Sequence, residues 1–182
     1  MSPAAIRRLL HSASALVLLF AHFGSADLLR YTLAAGAVIA VILDSIRVNR
    51  PALGAFVAKL VPVFRASESN KLSGATWLCI GYGFAAWFPL PAAMAGILAG
   101  AFADPAASLA GSMVARQGEK KTWVGSGAAA VVAAFVLLPT GIPIFAVIAG
   151  AVAAMALERW PGPLNDNLTV APGVALVVWI LL

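Results

Sequence analysis

The sequence predicts an all-α protein, a single integral-membrane domain (residues 1–182) built as a polytopic bundle of about seven transmembrane helices. Of its 182 residues, 62% are hydrophobic and only 10% are charged. A soluble domain of this size carries about 25% charged residues, so the charges present here could not cover its surface. The single cysteine, Cys79, excludes an internal disulfide framework. Small disulfide-rich secreted proteins, disordered chains and collagen-like chains are therefore excluded.

Long apolar runs separate the charged residues, and each run predicts one membrane-spanning helix. The predicted spans cover residues 10–24, 28–46, 72–88, 91–114, 125–138, 142–157 and 167–182. Several of them are shorter than the roughly 20 residues that a perpendicular helix needs. We therefore expect their ends to extend into flanking small residues, or the bilayer to be thinner around them.

The first span also resembles a secretory signal peptide, because Arg7 and Arg8 precede an apolar stretch and small residues follow it at 24–26. We expect this helix to remain uncleaved, since seven spans fit the distribution of charge along the chain. His11 and His22 are expected to be hydrogen-bonded polar groups near helix ends.

The charged residues predict the orientation of the chain. With a cytoplasmic N-terminus, every basic residue except Arg30 lies on the cytoplasmic side, as the positive-inside rule requires. The connections on the other side, 89–91 and 139–143, are short and uncharged. Insertion alone accounts for the basic residues but not for the acids, of which all except Asp27 share the cytoplasmic side. We therefore expect a site for an anion and a cation on the cytoplasmic face of a bacterial inner membrane.

The longest cytoplasmic connection contains a stretch, 51–64, with apolar residues at helical spacing. This spacing predicts a short helix lying in the membrane interface, bent or ended by Pro62. A buried re-entrant segment is the alternative.

The fourth span, 91–114, carries small and polar residues on one side. At 100° per residue, five of them fall within an arc of about 120°; these are Gly96, Gly100, Asp104, Ser108 and Gly111. Small residues let another helix or a ligand approach the backbone closely. Asp104 is expected about 20 Å from the outer boundary, where a carboxylate needs a basic partner or a metal ion. Pro105 after it can open the helix backbone. The alternative is a helix-packing surface with one ion-paired aspartate.

The connection before the fifth span combines lysines, hydroxyls and glycines. Lys120 and Lys121 precede Thr122, and Gly125 and Ser126 follow at the expected start of a helix. Lysine charges and backbone amides at a helix N-terminus together form a phosphate site. The sequence contains no P-loop motif, which excludes a P-loop enzyme. The alternative is a basic loop that contacts anionic lipids.

Five groups of residues follow one another in the order typical of one family of membrane enzymes. They are Asp44-Ser45-Ile46-Arg47 with Pro51; Arg65-Ala66-Ser67-Glu68 with Leu72-Ser73-Gly74-Ala75-Thr76-Trp77; Ala103-Asp104-Pro105-Ala106-Ala107-Ser108 with Gly111; Lys121-Thr122 with Gly125-Ser126; and Glu158-Arg159 with Asp166-Asn167. Over residues 44–172 the chain resembles the CTP-dependent lipid kinases, which include dolichol and other polyprenol kinases, phytol kinase and the CTP-using diacylglycerol kinase. It is more distantly similar to the phosphatidate cytidylyltransferases.

The resemblance implies transfer of the γ-phosphate of CTP to the hydroxyl of a membrane lipid alcohol, with Mg²⁺ as the metal. The acceptor stays open between a polyprenol, a phytol-like isoprenol and a diacylglycerol, because Lys120 and Val124 differ from the residues usual in dolichol and phytol kinases. The implied partners are CTP, the lipid alcohol and the bilayer. No nucleic acid is expected, and a homo-oligomer is left open.

Phosphoryl transfer needs a metal ion, neutralisation of the triphosphate and a positioned hydroxyl, and the sequence offers candidates for each role. The candidate catalytic residues are Asp104, Glu68 and Arg65. Because hard cations take oxygen ligands, the candidate metal ligands are Asp104, Glu68 and Asp166. The candidate nucleotide-binding residues are Lys120, Lys121, Thr122, Gly125, Ser126, Gly111, Ser108 and Asn167.

Several alternatives stay open at this point. Asp44 with Arg47, and Glu158 with Arg159, are as compatible with structural ion pairs as with ligand contacts. The chain could also be a cytidylyltransferase that makes a CDP-lipid, or a non-enzymatic membrane protein or transporter. The uncharged outer connections argue against a transport path, which would need polar groups on both sides.

Overall fold

The computed structural model describes residues 2–50, 52, 54–56, 64, 68–116, 119 and 121–182. Within these ranges the regular secondary structure is helical and includes no strand. The helices are α1 (Pro3–Ala13), a 3₁₀ helix (Ser14–Leu18), α2 (Leu19–Phe23), α3 (Ala26–Asn49), α4 (Gly74–Ala85), α5 (Leu90–Val114), α6 (Trp123–Leu137), a 3₁₀ helix (Leu138–Thr140), α7 (Ile144–Arg159) and α8 (Asp166–Ile180). The prediction of an all-α fold is confirmed.

Four helical stretches are long and apolar enough to cross a membrane. They are Pro3–Phe23, Ala26–Asn49, Leu90–Val114 and Trp123–Thr140, and Asp166–Ile180 is a shorter apolar helix. Each of the seven predicted spans overlaps one helix or one run of consecutive helices. The chain is therefore compatible with an integral membrane protein, while seven crossings and a cytoplasmic N-terminus stay predictions.

Polar side chains fix where three of the helices begin. Ser73, Thr122 and Asn165 precede α4, α6 and α8, and each side-chain oxygen accepts a hydrogen bond from an amide in the first turn. Such an amide has no partner further back in its helix, so the side chain satisfies it. The same three helix starts border the cavities described below.

Helix α5 lies at the centre of the bundle and packs against α1, α4, α6, α7 and α8. Its small residues let the neighbours come close. A Cβ added to Gly96 would lie 2.9 Å from the Cβ of Ala175 in α8, and one added to Gly111 would lie 3.1 Å from Oγ1 of Thr122. The close approach expected along the stripe of small residues is therefore present.

The apolar core lies on two sides of α5. One cluster joins α5 to α6, α7 and α8, and it includes Ala99, Ala133 and Val174. The other joins α5 to α3, α4 and α8, and it includes Leu29 and Tyr82. Most of the buried side chains are small, so helix association here depends on close backbone approach, as is common in membrane proteins.

The outward surface of α3 is apolar. Val38, Ile39, Ile42 and Leu43 are all more than half exposed. Soluble monomers rarely leave a continuous apolar surface of this kind uncovered. Lipid tails would cover it, which agrees with the predicted membrane location.

The sequence also predicted an opened helix backbone at Pro105 and an interfacial helix at 51–64. Helix α5 continues through Pro105, so the opening of the backbone expected there is not present. Pro105 is buried, and the helix continues on both sides of it although proline cannot donate the usual helix hydrogen bond. The interfacial helix expected at 51–64 falls largely outside the described residues.

Candidate functional site

Two cavities lie side by side at one end of the bundle and share a wall. The first has a volume of about 320 Å³ and the second of about 550 Å³. Asp104 and Ser108, one turn apart on α5, line both of them. The cavities therefore meet along the polar part of the small-residue stripe, with Asp104 at the boundary.

The first cavity combines charged and apolar side chains. Arg7, Arg8 and His11 of α1 line one part of it, and Glu68 and Asn167 line another. Its apolar lining includes Leu10, Phe64 and Leu78. This mixture suits a molecule that carries a polar group on an apolar body.

A buried ion pair holds the segment that carries Glu68. Nε of Arg47 lies 2.5 Å from Oδ1 of Asp44, and both side chains are buried. The Arg47 guanidinium also donates to the backbone carbonyls of Glu68 and Lys71, at 2.9 and 2.8 Å. Oδ2 of Asp44 accepts a hydrogen bond of 2.6 Å from the amide of Ser73. The Asp44–Arg47 pair is therefore a structural contact that fixes the turn before α4.

Glu68 and Asn167 meet at the first turn of α4. Oε1 of Glu68 accepts from the amide of Gly74 at 3.1 Å, and Nδ2 of Asn167 donates to the carbonyl of Gly74 at 3.1 Å. Asn167 lines the first cavity, whereas Lys121, its predicted partner in nucleotide binding, lines the second. The structure does not bring these two residues into one cavity.

Lys121 stands among acidic groups in the second cavity. Its ammonium nitrogen lies 2.8 Å from Oδ2 of Asp166 and 3.0 Å from Oε1 of Glu158, and it also donates to the backbone carbonyl of Glu158. Burial alone would lower the pKa of Lys121, but the hydrogen bonds and charges of Asp166 and Glu158 outweigh burial and hold the pKa above its usual value. Lys121 is therefore a fixed positive charge whose contacts join the ends of two helices.

The start of α6 forms another part of the second cavity. Thr122, Gly125 and Gly111 all line it. Oγ1 of Thr122 accepts the amide of Gly125 at 3.0 Å, so this hydroxyl serves as the helix cap. A Cβ added to Gly125 would lie 2.7 Å from the carbonyl oxygen of Ala107, which explains why glycine occurs where α5 and α6 meet. The glycines thus keep this part of the cavity open and the helices close.

Ser126 has a different place from the one expected for a nucleotide ligand. It is buried and outside the lining of both cavities, and its hydroxyl lies 3.1 Å from the carbonyl oxygen of Thr122 and 3.3 Å from Oε2 of Glu158, either of which can accept its one hydrogen. Glu158 itself pairs with Lys121, while the guanidinium of Arg159 lies 3.9 Å from the centre of the Trp123 ring. The structural ion pair considered for Glu158 and Arg159 is therefore replaced by these two separate contacts.

Asp104 has a neighbour that the sequence analysis did not single out. Oδ2 of Asp104 lies 3.4 Å from Nδ1 of His11, whose other ring nitrogen lies 3.0 Å from the carbonyl oxygen of Gly100. His11 is hydrogen-bonded, as expected, but it also reaches the candidate catalytic carboxylate. The spacing of Arg7 and His11, four residues apart on one helical face, is the signal that could have indicated a shared cavity lining.

The three candidate metal ligands are distributed over both cavities. Glu68 lines the first cavity, Asp166 lines the second, and Asp104 lines both. Within the described ranges, no group of three or more His, Cys, Asp or Glu side chains is placed to hold a metal ion. Mg²⁺ commonly takes only one or two carboxylates and completes its shell with substrate phosphates and water. Asp104, which lines both cavities, could supply one such carboxylate, and Asp166 is paired with Lys121.

Two candidate site residues, Arg65 and Lys120, lie outside the described residues. The other candidates are all placed, and Asp104, Ser108, Gly111, Lys121, Thr122, Gly125 and Asp166 share the second cavity. Over the described residues the regular structure is thus helical and compatible with an integral membrane protein, with two adjoining charged cavities at one end of the bundle. Comparison of the chain with protein-family models, with curated protein sequences and with solved structures found no match.

Proposed function

We propose that the protein is a CTP-dependent lipid kinase, which transfers the γ-phosphate of CTP to the hydroxyl of a membrane lipid alcohol. The acceptor would be a polyprenol, a phytol-like isoprenol or a diacylglycerol. The observation that carries the proposal is the wall formed by Asp104 and Ser108 between two cavities of different chemistry. Transfer between a lipid and a soluble nucleotide needs two adjoining sites of this kind.

The first cavity is assigned to the lipid alcohol. Leu10, Phe64 and Leu78 offer apolar contact for the chain next to the hydroxyl. Arg7 and Arg8 offer positive charge that could stabilise the phosphate of the product. Asp104 at the boundary would face the hydroxyl from the side of the nucleotide.

The second cavity is assigned to the triphosphate of CTP. Among its described lining residues, Asp104, Glu119, Glu158 and Asp166 contribute carboxylates and Lys121 contributes an ammonium group. This excess of negative charge would repel a free triphosphate, so the electrostatics favour a nucleotide that carries a divalent cation. When bound, Mg²⁺ would offset the negative charge on the transferring phosphate.

The reaction needs positioning more than covalent chemistry by the protein. The hydroxyl oxygen of the lipid would attack the γ-phosphorus, the bond from that phosphorus to the β–γ bridging oxygen would break, and CDP would leave with the electron pair. The proton of the hydroxyl would pass to solvent. In this scheme Asp104 holds the reacting groups at the boundary. Lys121, whose three N–H groups already meet Glu158 and Asp166, would act on the phosphates through its positive charge.

The proposal includes a location and a topology. We propose a bacterial inner-membrane protein with seven crossings, a cytoplasmic N-terminus and the site on the cytoplasmic face, where nucleotide is present. The support is the excess of basic residues in the connections that this topology places on the cytoplasmic side.

The test is incubation of the purified protein with CTP, Mg²⁺ and a panel of lipid alcohols, with phosphatidate in a parallel reaction. A lipid kinase releases CDP and forms a lipid phosphate. A cytidylyltransferase would release pyrophosphate from CTP and phosphatidate and leave the nucleotide on the lipid. Release of pyrophosphate, or no turnover with any acceptor, would contradict the proposed kinase activity.

A further inference from the structure

The imidazole of His11 lies between two groups of α5 that are one turn apart. Nε2 of His11 lies 3.0 Å from the carbonyl oxygen of Gly100, and Nδ1 lies 3.4 Å from Oδ2 of Asp104. A carbonyl oxygen can only accept a hydrogen bond, so Nε2 carries the hydrogen of this contact. The orientation of the ring is thereby fixed, and Nδ1 is the nitrogen that faces Asp104. Because Nε2 already carries a hydrogen, Nδ1 donates to the carboxylate only when the ring carries both hydrogens.

The backbone of His11 is also held in place. The hydroxyl of Ser14 donates to the carbonyl of His11 at 2.5 Å, and it lies 2.8 Å from the hydroxyl of the buried Tyr82 in α4. The side chain of His11 is only 12% exposed. Contacts from α4 and α5 therefore determine where the imidazole stands.

We propose that His11 is a positioning residue for Asp104, and this inference rests on the proposed phosphate transfer. Asp104 lines both cavities, and an aspartate has two rotatable side-chain bonds through which its carboxylate could turn toward either one. The ring of His11 contacts it from the side of the first cavity and so limits that rotation. The carboxylate is then held in one orientation at the boundary, as an effective catalytic group requires.

The inference extends the site beyond the part of the chain that carries the family resemblance. His11 lies in α1, and the resemblance begins at residue 44. Arg7 and Arg8 of the same helix also line the first cavity. The N-terminal helix thus completes the site as well as forming part of the bundle.

The test compares two substitutions, each of which places an amide nitrogen near the position of one ring nitrogen of His11. In His11→Asn the amide nitrogen takes the approximate place of Nδ1, next to Asp104, whereas in His11→Gln it takes the approximate place of Nε2, next to the Gly100 carbonyl. His11→Ala removes the contacts to Asp104 and to the Gly100 carbonyl. His22→Asn is the matched control, because His22 is exposed at the far end of the same run of helices. The kcat of lipid phosphorylation and the KM values for CTP and for the alcohol are measured for proteins with unchanged unfolding temperature.

We expect His11→Gln and His11→Ala to lower kcat about 100-fold, the loss typical of a small displacement at a reacting centre, with little change in either KM. His11→Asn should recover most of that loss, and His22→Asn should behave as the wild type. An active wild type with equal kcat values for His11→Asn, His11→Gln and His11→Ala would overturn this inference alone. A wild-type protein that forms no lipid phosphate would overturn the proposed function and this inference with it.

Discussion

The ammonium group of Lys121 lies 2.8 Å from a carboxylate oxygen of Asp166, although 45 residues separate the two in the chain. Lys121 immediately precedes the cap of α6, and Asp166 begins α8. The same ammonium group also contacts Glu158 near the end of α7. From its place next to the start of α6, this one side chain therefore joins the end of α7 to the start of α8 beside the second cavity, so its removal should affect both ligand binding and stability.

The first prediction concerns Lys121→Ala. In the proposed function this change removes a positive charge from the phosphates and leaves Glu158 and Asp166 without their common partner. We expect the KM for CTP to rise about 10-fold, equivalent to about 1.4 kcal/mol, with little change in the KM for the lipid alcohol. The free energy of unfolding should fall by about 1 kcal/mol, a modest loss because the side chain is partly exposed to solvent. Steady-state kinetics and thermal unfolding check both parts.

Arg116→Ala is the matched control for Lys121→Ala, because Arg116 is an exposed basic residue of the same connection. It should change the KM for CTP by less than Lys121→Ala does. If Lys121→Ala altered only the affinity for the lipid, this connection would be a basic loop that contacts anionic lipids, and the phosphate site would have to lie around Arg65 and Lys71.

The second prediction concerns Asp104→Asn, which removes a negative charge and nearly preserves shape. We expect kcat to fall about 100-fold or more. The negative charge of Asp104 would help to hold the divalent cation that stabilises the transferring phosphate. The fold should remain intact, as judged by circular dichroism and the elution volume in detergent. Asp27→Asn is the control, since Asp27 is an exposed acid paired with Arg30 outside the site. Near-normal turnover of Asp104→Asn at saturating Mg²⁺ would exclude the proposed role.

The third prediction compares two glycines of α6. A Cβ on Gly125 would lie 2.7 Å from the Ala107 carbonyl oxygen and 3.2 Å from Oγ1 of Thr122, whereas a Cβ on Gly127 would have no heavy atom within 4 Å. Gly125→Ala should therefore lower the free energy of unfolding by about 1–3 kcal/mol, the usual cost of overpacking. Gly127→Ala should be neutral or slightly stabilising. Equal unfolding temperatures for the two variants would contradict the close contact of α5 and α6.

The fourth prediction concerns topology. In a Cys79→Ala background, single cysteines at Asn70, Glu119 and Leu164 should react with a membrane-impermeant maleimide only after the cells are permeabilised. Cysteines at Pro89 and Pro139 should react in intact cells, because the proposed orientation places them outside. Labelling of any of the first three positions in intact cells would contradict both the proposed topology and the assignment of one shared site.

The sequence predicted helices well because length and apolar composition determine them locally. Every predicted span overlaps a helix, and the stripe that includes Gly96 and Gly111 marks where helices approach closely. The division of the site into two cavities was not predictable, because the angle between packed helices decides which cavity a side chain lines. Asn167 and Asp166 are adjacent in the chain, yet they line different cavities.

Two side chains show why contacts between helices were harder to predict than the helices themselves. Lys121 was expected to offer its charge to phosphate, but the fold also brings Glu158 and Asp166 to it from remote parts of the chain. His11 was expected to be an ordinary hydrogen-bonded histidine, because its spacing from Arg7 puts both on one face of α1 but does not say that this face packs against α5. Long-range packing of this kind leaves no local pattern.

The wall shared by the two cavities also has a kinetic consequence. Under the proposed function, the lipid alcohol would reach the first cavity from the bilayer, and the nucleotide would reach the second from water. Neither substrate would have to pass through the cavity of the other. The reaction should then proceed through a ternary complex with random order of binding, and intersecting rather than parallel double-reciprocal plots are expected.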